Sequence, residues 1–370
     1  MIVTLTLSRY IARHFLLAVG SAWAALAALV AMFDFIELLR RSASKPDATF
    51  SLIVEIAALR IPFIMMQILP FAVLLGGLVC FWRLTRTSEL IVARAAGVSA
   101  WEFLTVPTLC AAFLGVTATA ALSPLSSAML ARADRLETAY LRTGGGPLAL
   151  NGGQLWLRQS DRELTPKGVA IIHASGVALR GEQLTTGRVR VFRLDDNDHL
   201  LARIEAESAT LASGYWALGN ARAVRPDQLP EPARDSRLAT DLTVGRVQDS
   251  FAAPDTLSVW ALPDFIAVLE RSGFSSVRHR LHFHALLALP LLAATMALVS
   301  AGFSMRPTRR GGVAKMIGGG VSVGFALFVI SKVAEEFGQS GALPVPLAAW
   351  APAAAGLMLA VALLLHTEDG

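Results

Sequence analysis

Residues 61–82 run for 22 positions without one charged side chain. As a helix, such a run reaches about 33 Å at the ordinary rise per residue, enough to cross a hydrocarbon core roughly 30 Å thick. A water-soluble domain has no use for it, so this stretch fixes the class before any motif is read. Pro62 and Pro70 lie inside it, and a spanning helix tolerates them when its neighbours satisfy the freed carbonyls. Gly76-Gly77 allows close helix contact. Composition agrees: 16% of the 370 residues are charged, against roughly 25% in soluble domains.

Five more apolar runs follow the same logic, at residues 15–35, 103–122, 283–303, 316–333 and 343–365. The first comes after Arg9, Arg13 and His14. It is too long for a signal-peptide core and no clear cleavage site follows, so it reads as an uncleaved span. The third is expected to stop at Ser123-Pro124. Cys80 and Cys110, the two cysteines, both sit in apolar runs and read as small buried hydrophobes.

Between the third and fourth runs the apolar residues alternate instead. Residues 154–158, 168–173, 188–193, 200–205, 209–216 and 216–224 read as short strands. The cluster Asp195-Asp196-Asn197-Asp198 makes a hairpin turn between two of them. Residues 225–250 read as loop or edge strand. An amphipathic helix then starts near Pro263 and ends at Ser272-Gly273. The expected fold is therefore a multi-pass α-helical membrane protein of six transmembrane helices, three and three, with an inserted periplasmic all-β jelly-roll-like domain. Its parts are residues 1–139 with spans one to three, residues 140–258 with the β domain, and residues 259–370 with the linker helix and spans four to six.

Residues 140–258 carry 14 basic and 14 acidic side chains, so the formal excess of +5 lies in the membrane portions. Basic residues gather at Arg83, Arg86 and Arg94, at Arg306, Arg309, Arg310 and Lys315, and at Arg9 and Arg13. The positive-inside tendency puts these, and both termini, in the cytoplasm. Arg40, Arg41, Lys45 and Arg60 run against it, although among acids. No basic cluster stands beside aromatics on a soluble module, so nucleic-acid binding finds no support.

The segment from Arg83 to Ser99 reads as a short helix between spans two and three. Thr87 or Ser88 can cap it, Glu89 suits its N-terminal end, and Gly97 supplies a stop. Such an element can dock a partner or lie on lipid. Its sequence, Arg86-Thr87-Ser88-Glu89-Leu90-Ile91-Val92-Ala93-Arg94-Ala95-Ala96-Gly97-Val98-Ser99, resembles the cytoplasmic signature of the lipopolysaccharide export permeases, the LptF/LptG family. Together with the three-and-three layout, the resemblance covers nearly the whole chain. Arg9-Tyr10-Ile11 and the stretch Phe33-Asp34-Phe35-Ile36-Glu37-Leu38-Leu39 look more like the LptG branch.

The resemblance implies a non-catalytic subunit that extracts lipopolysaccharide from the inner membrane of a bacterium and passes it to a periplasmic bridge. It implies an LptF-like permease partner, an LptB-like ATPase dimer and an LptC-like membrane-anchored protein. No cofactor is implied for this chain, because ATP is bound by the partner. The helix at about 86–99 would be the coupling helix, with Arg86, Glu89, Leu90, Arg94 and Gly97 as coupling residues and Glu89 paired with a basic group of the ATPase. Lipid would enter near spans one and five and pass along the β domain, whose apolar interior can hold acyl chains.

Arg132 and Arg135 share a helix face, arginine forks suit phosphate, and the resemblance implies that they face the substrate. They could equally be solvated arginines bridging Asp134 or Glu137. Asp34 and Glu37 close span one and are candidates for substrate contact as charges at a membrane boundary. Relatives often carry a basic residue where Asp34 stands, which argues against a simple phosphate role there. Glu37 could instead pair with Arg40, Arg41 or a partner subunit.

Two motifs mislead. Leu150-Asn151-Gly152-Gly153-Gln154 imitates an ABC ATPase signature, yet the chain has no phosphate loop and no Gly-Lys pair. His279, His282 and His284 imitate a metal site, but they do not share one helix face and no acid stands close by in sequence. A lipoprotein-release or efflux permease is the alternative reading, and it predicts one span before the soluble domain. A membrane-embedded enzyme predicts a catalytic centre, for which the sequence offers no candidate.

Overall fold

In a computed structural model, the described residues are 2–43, 49–89, 92, 95, 99–141, 149–151, 154–161, 168–180, 183–195, 199–226, 229–240, 242–243, 253–271, 274–304 and 313–368. They divide into two compact units: Met1–Leu141 with Pro254–Leu262 and Val277–Gly370, and Arg142–Ala253 with Pro263–Ser276.

The first unit holds six helices long and apolar enough to cross a membrane. They are built from α1 (Ile2–Ser42), α2 (Phe50–Arg86), α3 (Ala100–Thr117) running on into α4 (Ser123–Tyr140), and, after the insertion, α6 (Val277–Ser304), α7 (Val313–Gln339) and α8 (Val345–Glu368). Their core gathers Ile11, Phe15 and Val19 of α1, Leu69 to Leu84 of α2, and Ala293 to Ala301 of α6. Gly76 permits the close approach of α1 and α2, since a Cβ there would meet the backbone of Val19. Gly115 does the same for α3 and α6, where a Cβ would stand 2.5 Å from the Cα of Pro290.

The third span does not stop at Ser123-Pro124. It passes through a π-helical turn, Ala118–Leu122, and continues to Tyr140. Proline lacks the N–H that would bond the carbonyl four residues back. For Pro124 that carbonyl is Ala120, and the Trp260 indole donates to it at 3.1 Å. Pro290 of α6 leaves the carbonyl of Leu286 in the same position, and the Thr119 hydroxyl donates to it at 2.8 Å. In hydrocarbon each unsatisfied group costs several kcal/mol, so these two side chains permit helix at positions that would otherwise break it.

The second unit is antiparallel throughout. Its strands are β1 (Ala149–Asn151), β2 (Gln154–Ser160), β3 (Val169–Ser175), β4 (Ala178–Arg180), β5 (Gln183–Thr186), β6 (Val189–Leu194), β7 (Leu200–Ala206), β8 (Ser208–Ala212), β9 (Tyr215–Val224) and β10 (Arg234–Ala239). The order is β1-β2-β3-β6-β7-β9-β8-β5-β4, with β10 paired to β9, so the strands form a half-barrel inserted between α4 and α5 (Leu262–Arg271). The predicted hairpin at 195–199 is present: the Asp195 carboxylate accepts from the backbone N–H of His199 at 2.8 Å. Asn151 and Gln154, on either side of the two glycines in the motif imitating an ATPase signature, pair across the antiparallel strands β1 and β2.

Alternation puts Leu155, Ile172, Val191, Leu211 and Trp216 inside. Phe265 and Leu269 of α5, with Phe274 beyond it, pack on the same core. The inward positions of the half-barrel are thus apolar, as the alternation predicts. Asp161, nearly fully buried, is held by both arms of the Arg193 guanidinium, one at 2.7 Å.

Candidate functional site

Three places bring chemistry together. The first joins the C-terminal end of α1, the N-terminal part of α2 and the C-terminal half of α4. Arg60 of α2 donates to Asp34 of α1 at 2.9 Å and to the buried Glu137 of α4. Arg41 stands 3.7 Å from Glu137 and 2.8 Å from Glu37, and Arg40 grips Glu37 with two hydrogen bonds of 2.8 Å. Three cations thereby meet three carboxylates. Beside them, Arg132 of α4 pairs at 2.6 Å with the exposed Glu55 of α2. Arg135 is exposed.

Of the four residues proposed for substrate, then, Asp34 and Glu37 are taken up by neighbouring arginines and Arg132 by an exposed acid. The sequence reading passed over Arg60, although a lone arginine opening a long uncharged run was a visible signal that it needs a partner.

The second place is a cavity of about 360 Å³ between α2, α6 and α7. Phe63, Pro70, Phe71, Leu289, Leu292 and Phe328 make its walls. Met296 lies deep in it, and His282 at the other end of the α6 wall. The two are 14 positions apart on a helix, about 21 Å of rise. The polar end collects His282, Asp255, Lys332 and Glu335. His282 Nδ1 lies 3.2 Å from Asp255, and Lys332 lies 2.8 Å from Glu335. Asp255 sits in a 3₁₀ turn, Pro254–Thr256, before α6. The neighbouring histidines go elsewhere: His279 is buried, and His284 faces the Trp350 indole at 3.4 Å. A narrow apolar chamber with charges at one end suits an amphiphile whose polar group stays at that end.

The third place is the end of α2 and the segment after it. Thr87 caps α2, and Ser88 takes a left-handed backbone with φ of 60° that turns the chain. The Thr87 hydroxyl donates to Glu89 at 2.9 Å, and the Val92 amide bonds the Ser88 carbonyl as in a new helix. Arg86 lies over the Trp82 ring at 5.5 Å. Leu90, Arg94 and Gly97 fall outside the described residues.

The model of one protein family, the lipopolysaccharide export system permease LptF/LptG, matches residues 9–366. The lipopolysaccharide export system permease protein LptG of Haemophilus influenzae is 23% identical over 333 residues, 89% of either chain. The protein of the same name from Escherichia coli strain K12 is 23% identical over 309 residues, 80% of this chain and 81% of that one.

Proposed function

The chain belongs to the lipopolysaccharide export permease family LptF/LptG, whose members are non-catalytic membrane subunits, and we propose that it works as the LptG-like half of such a permease, holding lipopolysaccharide acyl chains in the cavity between α2, α6 and α7. That cavity is the observation that carries the reading. Its length and its single charged end fit an amphiphile held with its head at that end.

The remaining features fit the same machine. Both termini lie in the cytoplasm and the β domain in the periplasm, on the distribution of Lys and Arg. Apolar side chains of α1 (Leu17, Leu29, Phe33, Ile36) and of α7 (Val321, Phe325, Ile330, Phe337) are exposed in the single chain, and an LptF-like partner would cover them. The segment beginning at Arg86 and Glu89, continuing through Leu90, Arg94 and Gly97, docks on an LptB-like ATPase dimer, which alone binds ATP. This chain needs no cofactor of its own. An LptC-like protein receives the lipid. Arg132 and Arg135 are the best placed of the proposed residues to meet phosphate, because their surroundings are exposed.

The test is photo-crosslinking in the full chain, co-expressed with its partner permease and ATPase. A benzoylphenylalanine at Phe71 should crosslink to lipopolysaccharide, and one at the exposed Met358 of α8 should do so much less. Equal yields at both positions would sink the cavity reading. Failure to bring down an ATPase on detergent purification would sink the coupling reading.

A further inference from the structure

The segment Pro254–Leu262, which the chain enters on leaving the β strands, packs in the same compact unit as the spans. Two of its residues, Asp255 and Leu257, line the cavity at its charged end. It is pinned at two kinds of site. At one end, the Trp260 indole donates to the Ala120 carbonyl freed by Pro124, and the Val259 amide donates to the Ser123 hydroxyl at 3.1 Å. Val259 and Leu262 are buried around these bonds. Toward the other end, the Asp255 carboxylate meets Nδ1 of His282 of α6 at 3.2 Å.

These attachments differ in what it takes to break them. Releasing Val259 and Leu262 exposes two buried apolar side chains, and releasing Trp260, an exposed side chain, frees a carbonyl that Pro124 cannot bond. The π turn that receives it is the kind of helix irregularity that recurs at functional sites. Releasing Asp255 from His282 separates two groups that both face the cavity, where Lys332 and Glu335 stand as alternative polar neighbours. Asp255 itself is half exposed. The end held by the buried Val259 and Leu262 is therefore built to stay and the Asp255 end to let go.

We propose that Pro254–Leu262 is a bar across the charged end of the cavity, hinged on the π turn through Val259 and Trp260 and latched by Asp255 on His282. The proposal rests on the cavity reading above. A lipid held with its acyl chains against Phe71 and Leu289 carries its polar group toward this end. Leaving in that direction requires the latch to open. Asp255 and His282 are thus positioning residues for release.

The experiment uses the complete complex with its ATPase and partner permease. Asp255→Cys and His282→Cys are combined and bridged with a short bifunctional methanethiosulfonate, with a benzoylphenylalanine at Leu289 reporting lipid in the cavity. In the unbridged complex, ATP should lower the lipopolysaccharide crosslink at Leu289. After bridging, the crosslink should persist while ATP is still hydrolysed, and reductant should restore the loss. A crosslink that falls as far with the bridge as without it overturns the bar. A complex that shows no crosslink at Leu289 before ATP instead removes the cavity reading beneath it.

If the double cysteine variant fails to assemble, hydrogen exchange on the unmodified complex gives the answer. Amides of residues 255–258 should exchange at least several-fold faster during turnover than at rest, with residues 277–304 unchanged. Equal exchange at 255–258 in both states overturns the proposal.

Discussion

Arg60→Met should be the costliest single change at the charged junction of α1, α2 and α4. The Arg60 side chain is 19% exposed and bridges Asp34, 25% exposed, to Glu137, 8% exposed. Removing one member of a buried ion pair costs about 3–5 kcal/mol, because the other charge is left desolvated. Here two features lower that figure. Asp34 keeps some access to water, and Arg41 remains 3.7 Å from Glu137. The expected loss is about 2–3 kcal/mol on the same principle. The assay is reversible unfolding of the purified chain in mixed micelles, run as a double-mutant cycle with Glu137→Gln. Neutralising Glu137 removes the stranded charge, so the double variant should cost less than the two single costs together, by about 1–2 kcal/mol for groups in contact. Arg60→Lys should fall between wild type and Arg60→Met, since one ammonium cannot fork to carboxylates on two helices. A loss below about 0.5 kcal/mol, or strict additivity in the cycle, would show that Arg60 does not hold these helices together.

Three other substitutions probe separate parts of the chain. Arg132→Ala breaks only an exposed pair with Glu55, so its stability cost should stay under about 1 kcal/mol; a marked fall in lipopolysaccharide transport at unchanged thermal stability would then mark Arg132 as a substrate contact, and unchanged transport would remove it. Gly115→Val must push apart the backbones of α3 and α6, at about 1–3 kcal/mol for an overpacked site, and an unaltered melting temperature would show that the contact is loose. Asp161→Ala removes the buried carboxylate partner of Arg193 in the β domain and should cost about 1–3 kcal/mol. That loss should be read as faster hydrogen exchange in β3 and β6 with the spans untouched; even exchange in those strands would refute it.

The spans were legible because hydrocarbon leaves the backbone few choices: an uncharged run such as 61–82 must bond internally, and only a helix does so within one segment. Strand alternation was legible wherever it was long, as in β3, β6 and β9. It failed for β1, β4 and β5, which are too short to show a period. The end of the third span was misread for a specific reason. Pro124 looks like a stop because it cannot bond Ala120, and nothing local says that Trp260, far along the sequence, will bond it instead. The same holds for Leu286 and Thr119. Of the charged residues, Glu37 with Arg40 and Arg41 was readable from helical spacing. Arg60 with Asp34 and Glu137, or His282 with Asp255, required the packing of separate helices.

The two charged groups near the ends of the spans call for different physical readings, although both mix acids and bases. At the junction of α1, α2 and α4, three arginines face three carboxylates, and the central acid, Glu137, is buried between two of the arginines. An incoming phosphate would have to displace a carboxylate already in place, and it would leave that carboxylate buried and unpaired. Desolvation makes this exchange unfavourable, so the junction is better suited to fixing helices than to binding an anion. Arg132 presents the opposite balance. Its partner Glu55 is 43% exposed, and water can solvate that acid once it is released. The cavity end is intermediate: His282 is mostly buried while Asp255 is about as exposed as Glu55. An exchange there releases Asp255, which is exposed enough for water to solvate it. Charge that can be set free cheaply is what a passing phosphorylated lipid can use. By that criterion Arg132 and the His282–Asp255 pair are where the proposed route for its polar group is to be tested, and Arg60 is the residue that ties helices together.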